Sequence, residues 1–156
     1  FQSTEPSYPP FQFVNANNIA STNDMTGKNI RNSNFSKEKI LQFDPGILFL
    51  DLSTLQMGEG QGGLYELKND PVYQGLTAVQ TNKVYGVLPY NWYTQNFGSI
   101  LANAWYIGKI VYPEKFLDIT PEKKADEIYE FLVSKPVFKS MKSLFKDIVF
   151  QPLELN

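Results

Sequence analysis

The chain has 156 residues, is 42% hydrophobic and 15% aromatic, and carries a net charge of −2. That is long and apolar enough for one domain with a sizeable core, and too apolar for a disordered segment. Its lysines and arginines are scattered rather than gathered into a nucleic-acid footprint, and no apolar run reaches the roughly 18 residues of a membrane span. Cysteine and histidine are both absent. Disulfides, thiolate chemistry, the commonest general base and the commonest transition-metal ligand are therefore excluded together. An enzyme built on this chain would have to work with carboxylates, Tyr, Lys or Ser. Residue 1 is Phe and no signal peptide is visible, so the chain reads as processed or as cut from something longer.

Residues 1–35 are a polar lead-in rich in Asn, Ser, Thr and Pro, expected to pack on the domain and to present Glu5 and Tyr8 at its surface. Pro6, Pro9 and Pro10 favour extended backbone. Phe11, Phe13 and Val14 fit a short strand, or alternatively Pro10 opens a short helix running to Val14. Ser36 to Phe43 reads as a helix with Ser36 as cap, Glu38 in its first turn, and Ile40 and Leu41 inward. Asp44-Pro45-Gly46 is a turn. Ile47 to Leu52 is an apolar run with one acid, suited to a buried parallel strand.

Gly58, Gly60, Gly62 and Gly63 resemble a phosphate cradle only superficially. Gly-Lys-Ser/Thr is missing and no apolar-periodic helix is expected directly after the glycines, so a surface turn is the reading. Asp70 and Pro71 cap and start a short helix through Leu76. Val84 to Leu88 suits a second buried strand, ended by Pro89. The loop Tyr90, Asn91, Trp92, Tyr93, Gln95, Asn96 follows. Ile100, Leu101, Ala104, Ile107 and Val111 then form a helical stripe that Pro113 ends, with Gly108 allowing close packing. Thr120-Pro121-Glu122 starts a further helix with Ala125, Ile128, Tyr129 and Leu132 on its apolar face. Pro136 opens a last one through Leu144 with Val137, Met141, Leu144 and Phe145 inward. The tail Ile148, Val149, Phe150, Leu153 is expected to dock as an edge strand.

This alternation predicts an α/β fold: a three-layer, Rossmann-like lobe with a mainly parallel sheet flanked by helices. In such sheets ligands sit outside the carboxyl ends of the strands, which puts the 90–96 loop at a binding cleft. Tyr85, Trp105 and Tyr106 are assigned to packing. Tyrosine with Asp or Glu is a hard-oxygen donor set; Glu5, Tyr8, Asp51, Tyr90 and Tyr93 are the available donors, with Glu5 and Asp51 the candidate metal-binding acids.

Four stretches carry a resemblance: STEPSYPPF (3–11), SKEKILQFDPGILFLD (36–51), NDPVYQGLTAVQTNKVYGVLPYNWYTQN (69–96) and KADEIYEFLVSKPVFKSMK (124–142). The second is similar to a helix followed by a "DPDVIF" strand, the third to a short helix with an "LxAVxxxxVY" passage. Together they resemble the C-terminal lobe of the ABC-importer substrate-binding proteins for ferric siderophores, haem and cobalamin. The amino-terminal lobe and the spanning helix of that bilobed family have no counterpart here; the glycine-rich 58–63 loop and the apolar tail also depart from its pattern. The resemblance implies a binding module with no intrinsic cofactor, not an enzyme, exported and held at the membrane in its full-length form. Its cargo would be an iron complex or related metal compound, lined by Tyr8, Tyr90, Asn91, Trp92, Tyr93 and Asn96. Glu38 would dock on the ABC permease. A carbohydrate-binding module and a histidine-free α/β enzyme are the competing readings.

Overall fold

The computed structural model describes residues 3–22, 33–34, 37–91 and 93–155. Two strands hold the centre. β3 (Leu48–Asp51) and β4 (Val84–Val87) pair in parallel, with Leu48 opposite Val84 and Asp51 opposite Val87. Ahead of them, β1 (Ser3–Thr4) and β2 (Ser33–Asn34) form a separate antiparallel ladder, with α1 (Pro9–Phe13) between. The helical alternative for the lead-in is thus the one adopted, Pro9 and Pro10 supplying preset φ angles to the first turn. α2 (Lys37–Phe43) precedes β3; Ser36, its expected cap, lies outside the described residues.

From β3 the chain crosses to β4 through a 3₁₀ turn at Leu52–Met57 and three helices: α3 (Gly62–Asn69), α4 (Pro71–Gln74) and α5 (Thr77–Gln80). A helix does start at the glycines, against expectation. The Gly63 N–H donates to the Thr54 hydroxyl, and three positive-φ glycines, Gly58, Gly60 and Gly62, turn the chain into it. The helix expected from Pro71 to Leu76 stops at Gln74, and a second short helix, α5, follows it from Thr77. Asp44 reaches from the Asp-Pro-Gly turn to the start of α5, accepting from the Thr77 N–H at 2.7 Å and its hydroxyl at 2.7 Å. These bonds hold the Asp44 carboxyl below its ordinary pKa, the backbone donor being the larger influence.

Beyond β4 come α6 (Phe97–Val111), α7 (Pro121–Val133) and α8 (Phe138–Leu144). The tail then returns along the free edge of β4, where it makes one antiparallel bridge, Tyr85 to Pro152, and not the strand expected of it. Phe150 N–H donates to the Gly86 carbonyl at 2.9 Å, Gly86 N–H to Gln151 at 3.1 Å, and Leu153 N–H to Val84 at 2.8 Å.

Period-two alternation splits the interior into two layers. Leu48, Leu50 and Val84 point into a cluster with Leu67, Tyr73, Leu76 and Val79 from the crossover helices. Phe49, Tyr85 and Val87 point the other way, toward α1, α6, α7 and α8. That second layer is where the aromatic residues are concentrated. Tyr106 stacks on Phe150 at 4.4 Å, Phe150 lies 4.9 Å from Phe138, and Phe49 lies 5.8 Å from Tyr85. Helices on both faces of a parallel pair make the three-layer α/β lobe.

Several inward assignments shift. Leu41, Leu101, Leu132 and Leu144 are exposed, Leu144 to 79%, whereas Phe138 is buried. On α8 the buried side is set by Phe138, Met141 and Phe145, a phase that leaves Leu144 outward. Thr120 precedes α7 without a side-chain capping bond.

Gly86 fixes how closely the tail can approach. A Cβ there would stand 2.5 Å from the Ile148 carbonyl oxygen, a backbone atom that cannot swing away. Gly86→Ala is therefore expected to push the tail off β4 and cost about 2 kcal/mol or more, read by urea or thermal unfolding. A variant as stable as the parent would contradict this packing.

Candidate functional site

The carboxyl ends of β3 and β4 lie side by side, one ending at Asp51 and the other running into Leu88-Pro89-Tyr90. A single fully buried amide organises the second. Asn103, on α6, accepts from the Leu88 N–H at 3.0 Å and donates to the Leu88 carbonyl at 2.8 Å, treating that residue as a strand neighbour would. Its NH2 also donates to the Tyr8 hydroxyl at 3.1 Å. One side chain thus joins the end of β4, the middle of α6 and the lead-in.

The loop closes on itself a few residues later. Asn96 N–H donates to the Tyr90 carbonyl at 2.6 Å, and Asn96 Oδ1 accepts from the Ser99 N–H at 3.0 Å, capping α6. Between these two anchors Asn91, Tyr93, Thr94 and Gln95 are exposed. Tyr93 is wholly in solvent, at φ 56, a left-handed conformation uncommon for a ring-bearing residue. Phe97, at the start of α6, adds a second exposed ring. Trp92 lies outside the described residues.

The two other tyrosines expected at the cleft surface are buried, and the reason is their hydroxyls. Tyr8 takes its bond from Asn103, and Tyr90 donates to the Glu5 carboxylate. Their rings meet edge-on at 5.5 Å and form the floor beneath the loop. The surface display expected of Tyr8 is corrected accordingly, while Glu5 is half-buried. Burial, and then the nearby charge of Asp51, raise the Tyr8 pKa well above its ordinary value, so it stays a phenol. Asp51 accepts from the Ser53 N–H at 2.8 Å. Burial still raises its carboxyl above the ordinary range, with the Glu5 charge a smaller contribution in the same direction.

Glu5 and Asp51, with the phenols of Tyr8 and Tyr90, are thus oxygen-bearing groups gathered at the strand ends, with one hydrogen bond among them, from Tyr90 to Glu5. Among the described residues no group of three or more carboxylates gathers as a metal site would need. Tyr8 also borders a hollow of about 590 Å³ whose other walls, Pro6, Phe11, Gln12, Asn15 and Asn18 among them, are uncharged. Glu38 stands exposed in the first turn of α2.

Asn103 and Ser99 were not singled out in the sequence, although both are fully buried. The available signal was the pair of polar residues four apart inside an otherwise apolar helix. Ser99 answers to the Tyr129 hydroxyl at 2.9 Å, a contact between α6 and α7.

The fold, a parallel pair under helices with an anchored loop at its carboxyl end, is shared with two periplasmic binding proteins. The Haemophilus influenzae molybdate periplasmic binding protein MolA, in its molybdate-bound form, superposes with a TM-score of 0.62 at 17% identity, over 83% of this chain and 38% of that one. A periplasmic solute-binding protein of Veillonella parvula superposes at 0.59 and 16% identity, over 91% of this chain and 43% of that one. The chain therefore spans about two-fifths of the length of either. At these identities the likeness shows the fold alone, the α/β arrangement of a small parallel sheet flanked by helices that the sequence predicts. No protein-family profile matches the chain, and no curated protein does.

Asp51→Asn tests the buried carboxyl. The amide keeps an acceptor for the Ser53 N–H and removes the charge. Because the folded-state pKa lies above the unfolded value of about 3.9, the stability linked to Asp51 is complete in acid and is lost as pH rises through the folded pKa. The variant is expected to melt higher than the parent at neutral pH, with the gain shrinking to nothing below the ordinary carboxylate range. Equal melting temperatures at neutral pH would contradict the account.

Proposed function

We propose that this chain is a cargo-gripping lobe of an exported solute receptor that serves an ABC importer, and that it is not an enzyme. The observation that carries the reading is the loop 90–96. It is an uncharged, ring- and amide-bearing segment fixed at both ends and open in the middle, at the carboxyl end of a parallel strand, where α/β folds take their ligands. The likeness to two periplasmic binding proteins supports the class, and the sequence resemblance supports the family. Among the described residues no helix is long and apolar enough to cross a membrane, so contact with the importer would run through a docking face. Glu38, exposed on α2, is the residue proposed to meet the permease.

The cargo we propose is an iron chelate, haem or a related metal compound rather than a bare ion. From Val84 to Ser99 the sequence contains no Lys, Arg, Asp or Glu. An oxyanion would find no cation in that stretch, and the carboxylates nearest to it, Glu5 and Asp51, are half-buried and already bonded to the Tyr90 hydroxyl and the Ser53 N–H. A chelate masks its metal's charge with its own ligands, and offers flat unsaturated groups to Tyr93 and Phe97 and oxygen atoms to Asn91 and Gln95. The metal then belongs to the cargo.

The test is a titration of the full chain with a ferric catecholate, a ferric hydroxamate, haem, molybdate and an oligosaccharide, followed by tryptophan quenching and calorimetry. One of the three metal compounds is expected to bind, and Tyr93→Ala to weaken it by about tenfold, the worth of one ring contact. Binding of molybdate alone would overturn the cargo and leave the receptor class. Binding of the oligosaccharide alone, or turnover of any of these compounds, would overturn the class.

A further inference from the structure

The stretch from Lys135 to Lys146, KPVFKSMKSLFK, holds four of the chain's 14 basic residues and no acid. Lys135, Lys139 and Lys146 are exposed and Lys142 half-exposed. Neither the Lys37–Asp70 nor the Lys124–Glu127 ion pair involves these four lysines, and among the described residues none of the four has a carboxylate partner. Of the acids nearby in sequence, one is paired with a lysine. Asp126 accepts from the Phe138 N–H at 2.8 Å and Glu127 holds Lys124, which leaves Glu130 and Asp147 at the edges.

Large apolar side chains are exposed on the same two helices. Phe131, in the last turn of α7, is 88% exposed; Leu132 and Val133 beside it are about half exposed, and Leu144 ends α8 in solvent. α8 is anchored on its other side by Phe138, Met141 and Phe145, so its outward face reads Lys139, Ser140, Ser143, Leu144. Unpaired lysines flanking projecting apolar groups suit an anionic, roughly planar surface that has an apolar layer beneath it. Phe131 and Leu144 project, where a protein ligand would more often be met by a concave seat.

We propose that the corner formed by α7 and α8 docks on an anionic lipid bilayer. Lys135, Lys139 and Lys146 would face the headgroup phosphates, with the half-exposed Lys142 at the edge of the contact, and Phe131 and Leu144 would enter the interfacial layer. This goes beyond the receptor reading and does not depend on its cargo.

The experiment is co-sedimentation of the full chain with phosphatidylcholine vesicles, with and without about one-third phosphatidylglycerol. Binding is expected only to the anionic vesicles and is expected to weaken with added salt. The double variant Lys135→Gln/Lys139→Gln should lower the partition coefficient about tenfold or more, since it removes two of the cations that face the anionic surface. Phe131→Ser/Leu144→Ser should lower it on the same vesicles, and Tyr93→Ala should leave it unchanged. Circular dichroism checks folding. If the α8 variant unfolds, Lys135→Gln/Lys146→Gln, both outside the helix, carries the same test. Failure to sediment with anionic vesicles, equal sedimentation with neutral ones, or binding fully displaced by an acidic peptide or duplex DNA would overturn the proposal.

Discussion

The structure turns on the buried side chain of Asn103. A strand that ends inside a protein leaves its next peptide group without a neighbour, and an unpaired buried N–H or C=O costs about 1–3 kcal/mol. Asn103 answers both polar groups of Leu88 from a helix, so β4 ends cleanly against α6. Its remaining hydrogen goes to Tyr8, which draws the lead-in into the same junction. An apolar residue of similar size at 103 would leave three buried polar atoms to find other partners.

That junction separates a stiff floor from a free surface. Below it, Tyr8 and Tyr90 meet edge-on, with their hydroxyls committed to Asn103 and Glu5. Above it, the chain between Tyr90 and Asn96 is held at its two ends, by Leu88 and by the cap on α6. The exposed ring of Tyr93 and the exposed amides of Asn91 and Gln95 are presented at little further ordering cost, which is what a binding surface requires. The aromatic layer on the α6 side of the sheet gives the floor its rigidity. The crossover side is aliphatic apart from Tyr73 and supports the strands from behind.

Much of the scaffold was legible. Both strands announced themselves as short apolar runs, and α6 and α7 as stripes with a proline at one end. Asp70 and Asn96 act at helix starts, the first of them as expected. What escaped notice has a common physical origin in contacts made between distant segments. Tyr8 and Tyr90 looked like surface rings because each lies next to proline in an irregular stretch; only their meeting across 82 positions of sequence buries them. Asp44 was legible as a turn residue, but its service as cap to α5 depends on a partner 33 residues away. On α8 an inward choice of Leu144 over Phe138 is a small error of helical phase, and a seven-residue helix offers too few turns to correct it. The exposed loop residues Asn91 and Tyr93 were placed by the sequence where the structure has them, at the strand's carboxyl end. What they hold is a matter for binding experiments.

Amide hydrogen exchange on the intact chain tests the central claim most directly. If Asn103 locks the end of β4 beneath a free loop, the Leu88 N–H will exchange as slowly as the amides in the middle of α6, while those of Asn91, Tyr93 and Thr94 exchange at rates close to those of an open chain. Exchange at Leu88 as rapid as in the loop would show that the floor is not fixed, and the account of a pre-anchored binding surface would fail with it.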